Sequence, residues 1–101
     1  MNTFTKVYSL VTKIPKGKVT TYGAISKLIG VDPRVVGFAL HANKDTEVIP
    51  CHRVINSKGK ISSGYAFGGA NEQKNMLLKE GIKFDKPEGA VDLEKYGFFL
   101  F

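Results

Sequence analysis

Two helix signals stand almost back to back between residues 21 and 42, and they leave the chain little freedom there. Thr21 is a preferred helix cap, Ala24, Ile25 and Leu28 supply an apolar stripe over residues 22–29, and Gly30 stands where a helix stops. Asp32 then caps a second helix, with Pro33 at the first helical position, where a missing N–H costs nothing. That second helix runs over residues 33–42. The connection, Gly30-Val31-Asp32, is three residues long and contains Gly, which is the outline of a helix-turn-helix. Helix pairs of this kind also occur as plain core elements. Val35, Val36, Ala39 and Leu40 form the inner face of the second helix and leave Arg34, Gly37, Phe38 and His41 for other surroundings. A glycine inside a helix costs about 1 kcal/mol relative to alanine, so Gly37 points to a close approach, either by another helix or by a nucleic-acid backbone.

Upstream, Phe4, Val7, Tyr8, Val11 and Ile14 recur at helical spacing over residues 3–14, and Pro15 ends the run. A turn at residues 15–18 and a short extended step, Val19-Thr20, lead into the helix pair. Downstream, a helix from about Asn71 ends at Glu80, just before Gly81. With no repeat or linker, and with 43% hydrophobic residues among 101, the chain reads as a single domain spanning residues 1–101. No apolar run approaches ~18 residues and the start lacks a signal-peptide pattern, so an intracellular, soluble protein is expected. The lone Cys51 and the separated His41 and His52 make no zinc-ligand spacing, so no metal is expected. A formal charge of +6 suits a nucleic-acid partner, although the positive residues form no block.

The densest chemistry lies in Val48-Ile49-Pro50-Cys51-His52-Arg53-Val54-Ile55. A single cysteine is usually a small buried hydrophobe. Beside His52 and Arg53 it gains the positive or proton-accepting surroundings that convert a thiol of pKa ~8.5 into a nucleophilic thiolate. In an extended segment, however, adjacent side chains point to opposite faces. Pro50 could resolve this by forcing a turn, or a water could bridge Cys51 and His52.

The stretch Ile49-Pro50-Cys51-His52-Arg53-Val54 resembles the active-site signature of the O6-alkylguanine-DNA alkyltransferases. The likeness extends through Lys18-Val19-Thr20-Thr21-Tyr22-Gly23, Arg34-Val35-Val36-Gly37, Gly68-Gly69 and Leu77-Leu78-Lys79-Glu80-Gly81, covering roughly residues 3–84. It is to the C-terminal, DNA-binding and reactive domain of that family, without the N-terminal domain found in many members. The resemblance implies a mainly α fold with a short β-hairpin, a winged-helix-like helix-turn-helix domain that enters the minor groove while the damaged nucleotide is rotated out. It implies single-turnover transfer of an alkyl group from guanine O6 to Cys51, with no cofactor. His52 would be the base, acting through a water, Glu80 would hold His52, and Tyr22 would turn the target phosphate and donate a proton to the leaving base. Arg34 would fill the gap in the base stack. Gly37 and Ala39 would permit close approach to DNA, Asn43 would tie the recognition helix to the reactive segment, and Asn43 and Arg53 join Tyr22, Arg34, Gly37 and Ala39 in the DNA-binding set. Pro50, the backbone around Val54, and Tyr65, Ala66, Phe67 and Gly68 would line the base pocket.

The chain departs from the family pattern in places. Phe38 is bulky where a small residue is expected, Lys44 and Thr46 replace prolines, and the loop 62–67 is slightly long. With the aromatic tail Tyr96-Gly97-Phe98-Phe99-Leu100-Phe101, these features are similar to the alkyltransferase-like proteins, which bind O6-alkylguanine without repairing it and recruit excision repair. Those proteins carry another residue, commonly tryptophan, where this chain has Cys51. The expected partner in either case is double-stranded DNA containing O6-alkylguanine, bound by a monomer, with excision-repair proteins as further partners of a sensor. The tail is expected to pack on the body.

Overall fold

The computed structural model describes residues 2–61 and 69–101. Helix α1 (Thr3–Val11) begins at Asn2, whose side chain accepts from the Thr5 amide at 2.8 Å. It ends three residues before the expected position. The amides of Lys13 and Ile14 bond to Leu10 and Val11, the tighter i to i+3 pattern of a fraying last turn before a proline that cannot continue the ladder.

The helix pair forms where the capping signals place it. In α2 (Tyr22–Ile29), Thr21 accepts from the Ala24 amide at 3.1 Å, and Gly30 closes the helix in the left-handed conformation at φ 71°. In α3 (Pro33–Ala42), Asp32 accepts from the Arg34 amide at 2.8 Å. Leu28 faces outward, so the inner stripe of α2 is Ile25 and Ser26, with Ile29 half-buried beside them. Helix α3 packs on both α1 and α2. Val7, Val11, Ile14, Ile25, Val36, Ala39 and Leu40 thereby form one apolar cluster, which also contains Cys51 and Val54.

Strands β1 (Thr20–Thr21) and β2 (Val54–Ile55) pair in parallel, Thr20 opposite Val54 and Thr21 opposite Ile55. The expected β-hairpin is therefore corrected to a parallel pair. A hairpin joins antiparallel neighbours by a tight turn, whereas a parallel pair needs a crossover of a dozen residues or more, and α2, α3 and the segment through Cys51 make up that crossover. On the other side of β1, the Val19 amide donates to Tyr96 O at 2.9 Å and the Phe98 amide donates to Val19 O at 2.7 Å, which lashes the C-terminal tail to the fold. Tyr96 is buried, Phe98 and Phe101 meet edge to face at 5.2 Å against the first cluster, and Leu100 points outward.

A second cluster holds Val19, Ile55, Leu77, Ile82, Val91 and Tyr96, with Leu77 coming from α4 (Gly69–Lys79) and Tyr96 from α5 (Leu93–Tyr96). The turn before Lys60 docks here through Gly59, at φ 78°. A Cβ on Gly59 would lie 2.5 Å from the Val91 carbonyl oxygen, so no larger residue fits. The two strands run between the clusters, and the segment through Cys51 enters β2 at that junction. No helix of the described residues is long and apolar enough to cross a membrane.

Candidate active site and nucleic-acid interface

Pro50 turns the chain as its fixed φ allows. At φ −76° and ψ 68° it is the centre of an inverse γ-turn, in which the Cys51 amide donates to Ile49 O at 2.7 Å. Cys51–Arg53 then form one 3-10 turn, closed by Arg53 N donating to Pro50 O at 3.0 Å. In that geometry successive side chains leave the axis about 120° apart, so Cys51, His52 and Arg53 diverge without being split between two sheet faces. Cys51 and His52 are both buried.

Two side-chain amides hold this segment in place. Asn43, at the end of α3, donates to Ile49 O at 3.0 Å and accepts from the Asp45 amide at 3.0 Å. Asn43 thereby ties the end of α3 to the segment before Cys51, and its own side chain is buried. Gln73 of α4 donates to both His52 O and Val54 O at 3.1 Å. Sequence reasoning missed Gln73, although Gln73, Met76, Leu77 and Glu80 share helical spacing and a polar residue interrupting an apolar stripe was the available signal. Replacing Asn43 by leucine should strand the Ile49 carbonyl and cost about 1–3 kcal/mol, read as a lower urea midpoint with an unchanged m-value.

Glu80 follows the last turn of α4 and sits at the centre of the site, its side chain only 9% exposed. It accepts from His52 Nε2 at 2.7 Å, from Arg53 Nε and Nη2 at 3.0 and 2.9 Å, and from the Gly17 amide at 3.1 Å. Burial alone would raise the Glu80 carboxyl, but these hydrogen bonds outweigh it and hold the group below its ordinary 4.5. An ionised carboxylate only accepts, so the His52 proton resides on Nε2 and the lone pair on Nδ1. Nδ1 is buried with no partner among the described residues. Burial is also the main reason that His52 is held below its ordinary 6.5, against the pull of Glu80, and the charge of Arg53 acts in the same direction as burial. His52 is therefore a neutral imidazole at neutral pH.

Both shifts make the folded chain bind fewer protons than the unfolded chain in acid. Their stabilisation is complete above the unfolded histidine value of 6.5 and is lost as pH falls, with a further loss below the ordinary carboxyl value of 4.5. The urea midpoint should stay flat around neutrality and decline in two stages in acid, and His52→Gln should remove the first stage.

Tyr8 is a second residue that the sequence did not single out. Its hydroxyl donates to Ala39 O at 2.7 Å, and burial, together with negative charge on Cys51, raises its pKa. By its spacing in the sequence Tyr8 is only one member of an apolar helical stripe.

The remaining expected residues fall into three groups. Arg34, Gly37 and Phe38 lie on the outer side of α3. Arg34 is 83% exposed, with Nε and Nη2 donating to the Asp32 carboxylate at 3.1 Å each. Phe38 is 65% exposed, and a Cβ added to Gly37 would meet nothing within 4 Å, so no helix of the described residues packs there. Tyr22, at the start of α2, is half-buried against the first cluster. Two further residues expected in the DNA-binding set point inward. Ala39 points into the core because it shares the inner face with Val36 and Leu40, and Arg53 is turned inward to Glu80 and to Ile14 O, at 2.9 Å, with 16% of its side chain exposed. Pro50 and Val54 are buried beside Cys51, and the Val54 carbonyl is held by Gln73; Tyr65, Ala66, Phe67 and Gly68 lie outside the described residues. Among the described residues no group of three histidines, cysteines or acids could hold a metal ion.

Residues 2–82 match the family described as 6-O-methylguanine DNA methyltransferase, DNA binding domain. A bifunctional methyltransferase/endonuclease of Picrophilus torridus is 39% identical over 97 residues, covering 94% of this chain, which spans only 31% of that relative's length. Alkyltransferase-like protein 1 of Schizosaccharomyces pombe is 46% identical over 83 residues, covering 79% of this chain and 76% of that protein. The crystal structure of the S. pombe alkyltransferase-like protein in complex with damaged DNA containing O6-carboxymethylguanine superposes with a TM-score of 0.79 at 37% identity, covering 94% of this chain and 93% of that one. A helix-turn-helix carrying an outward arginine, joined by a buried asparagine to a Pro-Cys-His-Arg turn whose histidine is held by a glutamate, is thus matched along most of its length. The chain belongs to the DNA-binding-domain family of the O6-methylguanine-DNA methyltransferases, a family of DNA repair alkyltransferases.

Proposed function

We propose that this protein repairs DNA by direct reversal, moving an alkyl group from O6 of guanine to Cys51 in a single turnover. The observation that carries this reading is the buried sequence Cys51, His52, Glu80, in which the carboxylate accepts the hydrogen bond from Nε2–H and so leaves the lone pair on Nδ1 to act as base. His52 takes the thiol proton through a water. The Cys51 sulfur then forms a bond to the alkyl carbon, the bond from that carbon to guanine O6 breaks, and the departing base takes up a proton from Tyr22. The thioether is stable, so each molecule acts once.

The outer side of α3 is the surface proposed to enter the minor groove. Arg34 fills the vacated stack position and Gly37 allows the helix to approach closely. The Arg34–Asp32 pair is exposed and screened by solvent, so exchanging Asp32 for DNA is cheap. Phe38 lies one turn beyond Arg34 on the same side and presents an apolar wedge to the groove.

A noncatalytic reading is supported by the likeness to an alkyltransferase-like protein over 94% of the chain. Intact-mass measurement after incubation with duplex DNA containing O6-methylguanine separates the two. Transfer adds about 14 Da, as a methyl replaces the thiol hydrogen, and Cys51→Ala loses the gain. An unchanged mass with tight, lesion-selective binding would establish the sensor and overturn direct reversal. Binding without lesion preference would overturn both. Affinity should fall steeply with salt, since phosphate contacts release counterions.

A further inference from the structure

We infer that Arg53 is a positioning residue that locks Glu80 against His52, and that it is not a ligand for DNA phosphate. The inference rests on the alkyl-transfer reading for its catalytic consequence, and on the hydrogen-bond geometry for its substance.

An ionised carboxylate has about four acceptor positions on its two oxygens. Glu80 fills them with four donors: the Gly17 amide and Arg53 Nε on Oε1, and His52 Nε2 and Arg53 Nη2 on Oε2. Arg53 supplies two of the four in the forked arrangement that fixes a carboxylate's plane as well as its position. Arg53 Nε also reaches Oε2 at 3.2 Å, and Nη1 donates to Ile14 O at 2.9 Å. The guanidinium therefore spans the end of α1, the 3-10 turn and the end of α4, and little of its edge faces solvent.

This arrangement decides which way the His52 ring faces. Its Nε2–H can be held in line only if Oε2 cannot rotate away, and the Arg53 fork prevents that rotation. Lysine could supply the charge but not the fork, because an ammonium is a point donor unable to grip both carboxylate oxygens and Ile14 O together. The charge of Arg53 also faces His52 across Glu80 and offsets the carboxylate's pull on a proton at the ring. Cys51 lies on the same turn, and its charge acts with burial to raise the Tyr8 hydroxyl.

The test compares wild type, Arg53→Met and Arg53→Lys, each checked for folding by circular dichroism. With O6-methylguanine duplex saturated by protein, the single-turnover rate constant of Arg53→Met should fall on the order of 10- to 100-fold, the usual cost of losing a residue that orients a functional histidine. Its affinity for the same duplex, and the salt dependence of that affinity, should stay at wild-type values. Arg53→Lys should recover only part of the rate. In the DNA-free protein, the proton resonance of the His52 Nε2–H should be present in wild type and lost or shifted upfield in Arg53→Met; if that variant does not fold, Arg53→Lys carries both measurements.

An unchanged rate constant with weaker binding and a salt slope reduced by about one would make Arg53 a phosphate ligand and overturn the proposal. Full recovery by lysine, or an unaltered His52 resonance in a folded variant, would overturn it as well. If wild type shows no mass gain, direct reversal fails separately, and the His52 resonance still judges the role of Arg53.

Discussion

Glu80→Ala is expected to be the most destabilising single substitution in the site, lowering stability by about 3–5 kcal/mol, because it leaves a mostly buried guanidinium without its counter-charge. His52 Nε2 and the Gly17 amide lose their acceptor in the same step. For a chain of this size each kcal/mol corresponds to roughly 4–8 °C in melting temperature, so a fall of at least ~12 °C is expected in a thermal scan. Glu80→Gln keeps the shape and one acceptor oxygen but places an NH2 group toward two donors, and it should recover only a minority of the loss. If Glu80→Ala melted within a few degrees of wild type, the site could not be held together as described. The position of Glu80 sharpens the point. An acid at a helix C-terminus opposes the helix dipole, and here that unfavourable placement is offset by three side-chain and backbone partners.

The second large effect is on chemistry. His52→Ala is expected to slow alkyl transfer by about 10²–10⁴-fold near neutral pH, the usual worth of a positioned general base. The loss should shrink as pH is raised through ~8.5, where a thiol ionises without help. The measurement is the single-turnover mass gain as a function of pH, with saturating lesion duplex at each point. A variant as slow at high pH as at neutral pH would mean that His52 serves the fold and not the proton.

The helix-turn-helix was legible because its signals are local. Thr21, Gly30, Asp32 and Pro33 act on backbone groups within three residues, and α2 and α3 begin and end where those residues direct. The same holds for the turn at Pro50, which a fixed φ imposes whatever surrounds it. Leu28 shows the limit of this reasoning, since an apolar residue at helical spacing still faces outward when no neighbour covers it. The strand pairing shows it again. Thr20–Thr21 and Val54–Ile55 are two residues each, too short to announce a partner, and their parallel pairing follows from how α2 and α3 return the chain.

By itself, then, the sequence determined the helix-turn-helix pair, the turn at Pro50 and the residue types at Cys51, His52 and Glu80, since each rests on short-range backbone chemistry or on a residue's own identity. Only the tertiary structure decided which way longer side chains turn. Arg53 and Asn43, both read as DNA contacts, point inward because a buried carboxylate and a bare carbonyl need donors more than solvent does. Ala39 joins the core and Gly37, two residues earlier, does not, because α3 has one side against α1 and α2 and another with nothing on it among the described residues. Gln73 and Gly17 entered the site from segments 22 or more residues from Cys51 in the chain, a distance across which spacing carries no information and packing carries all of it.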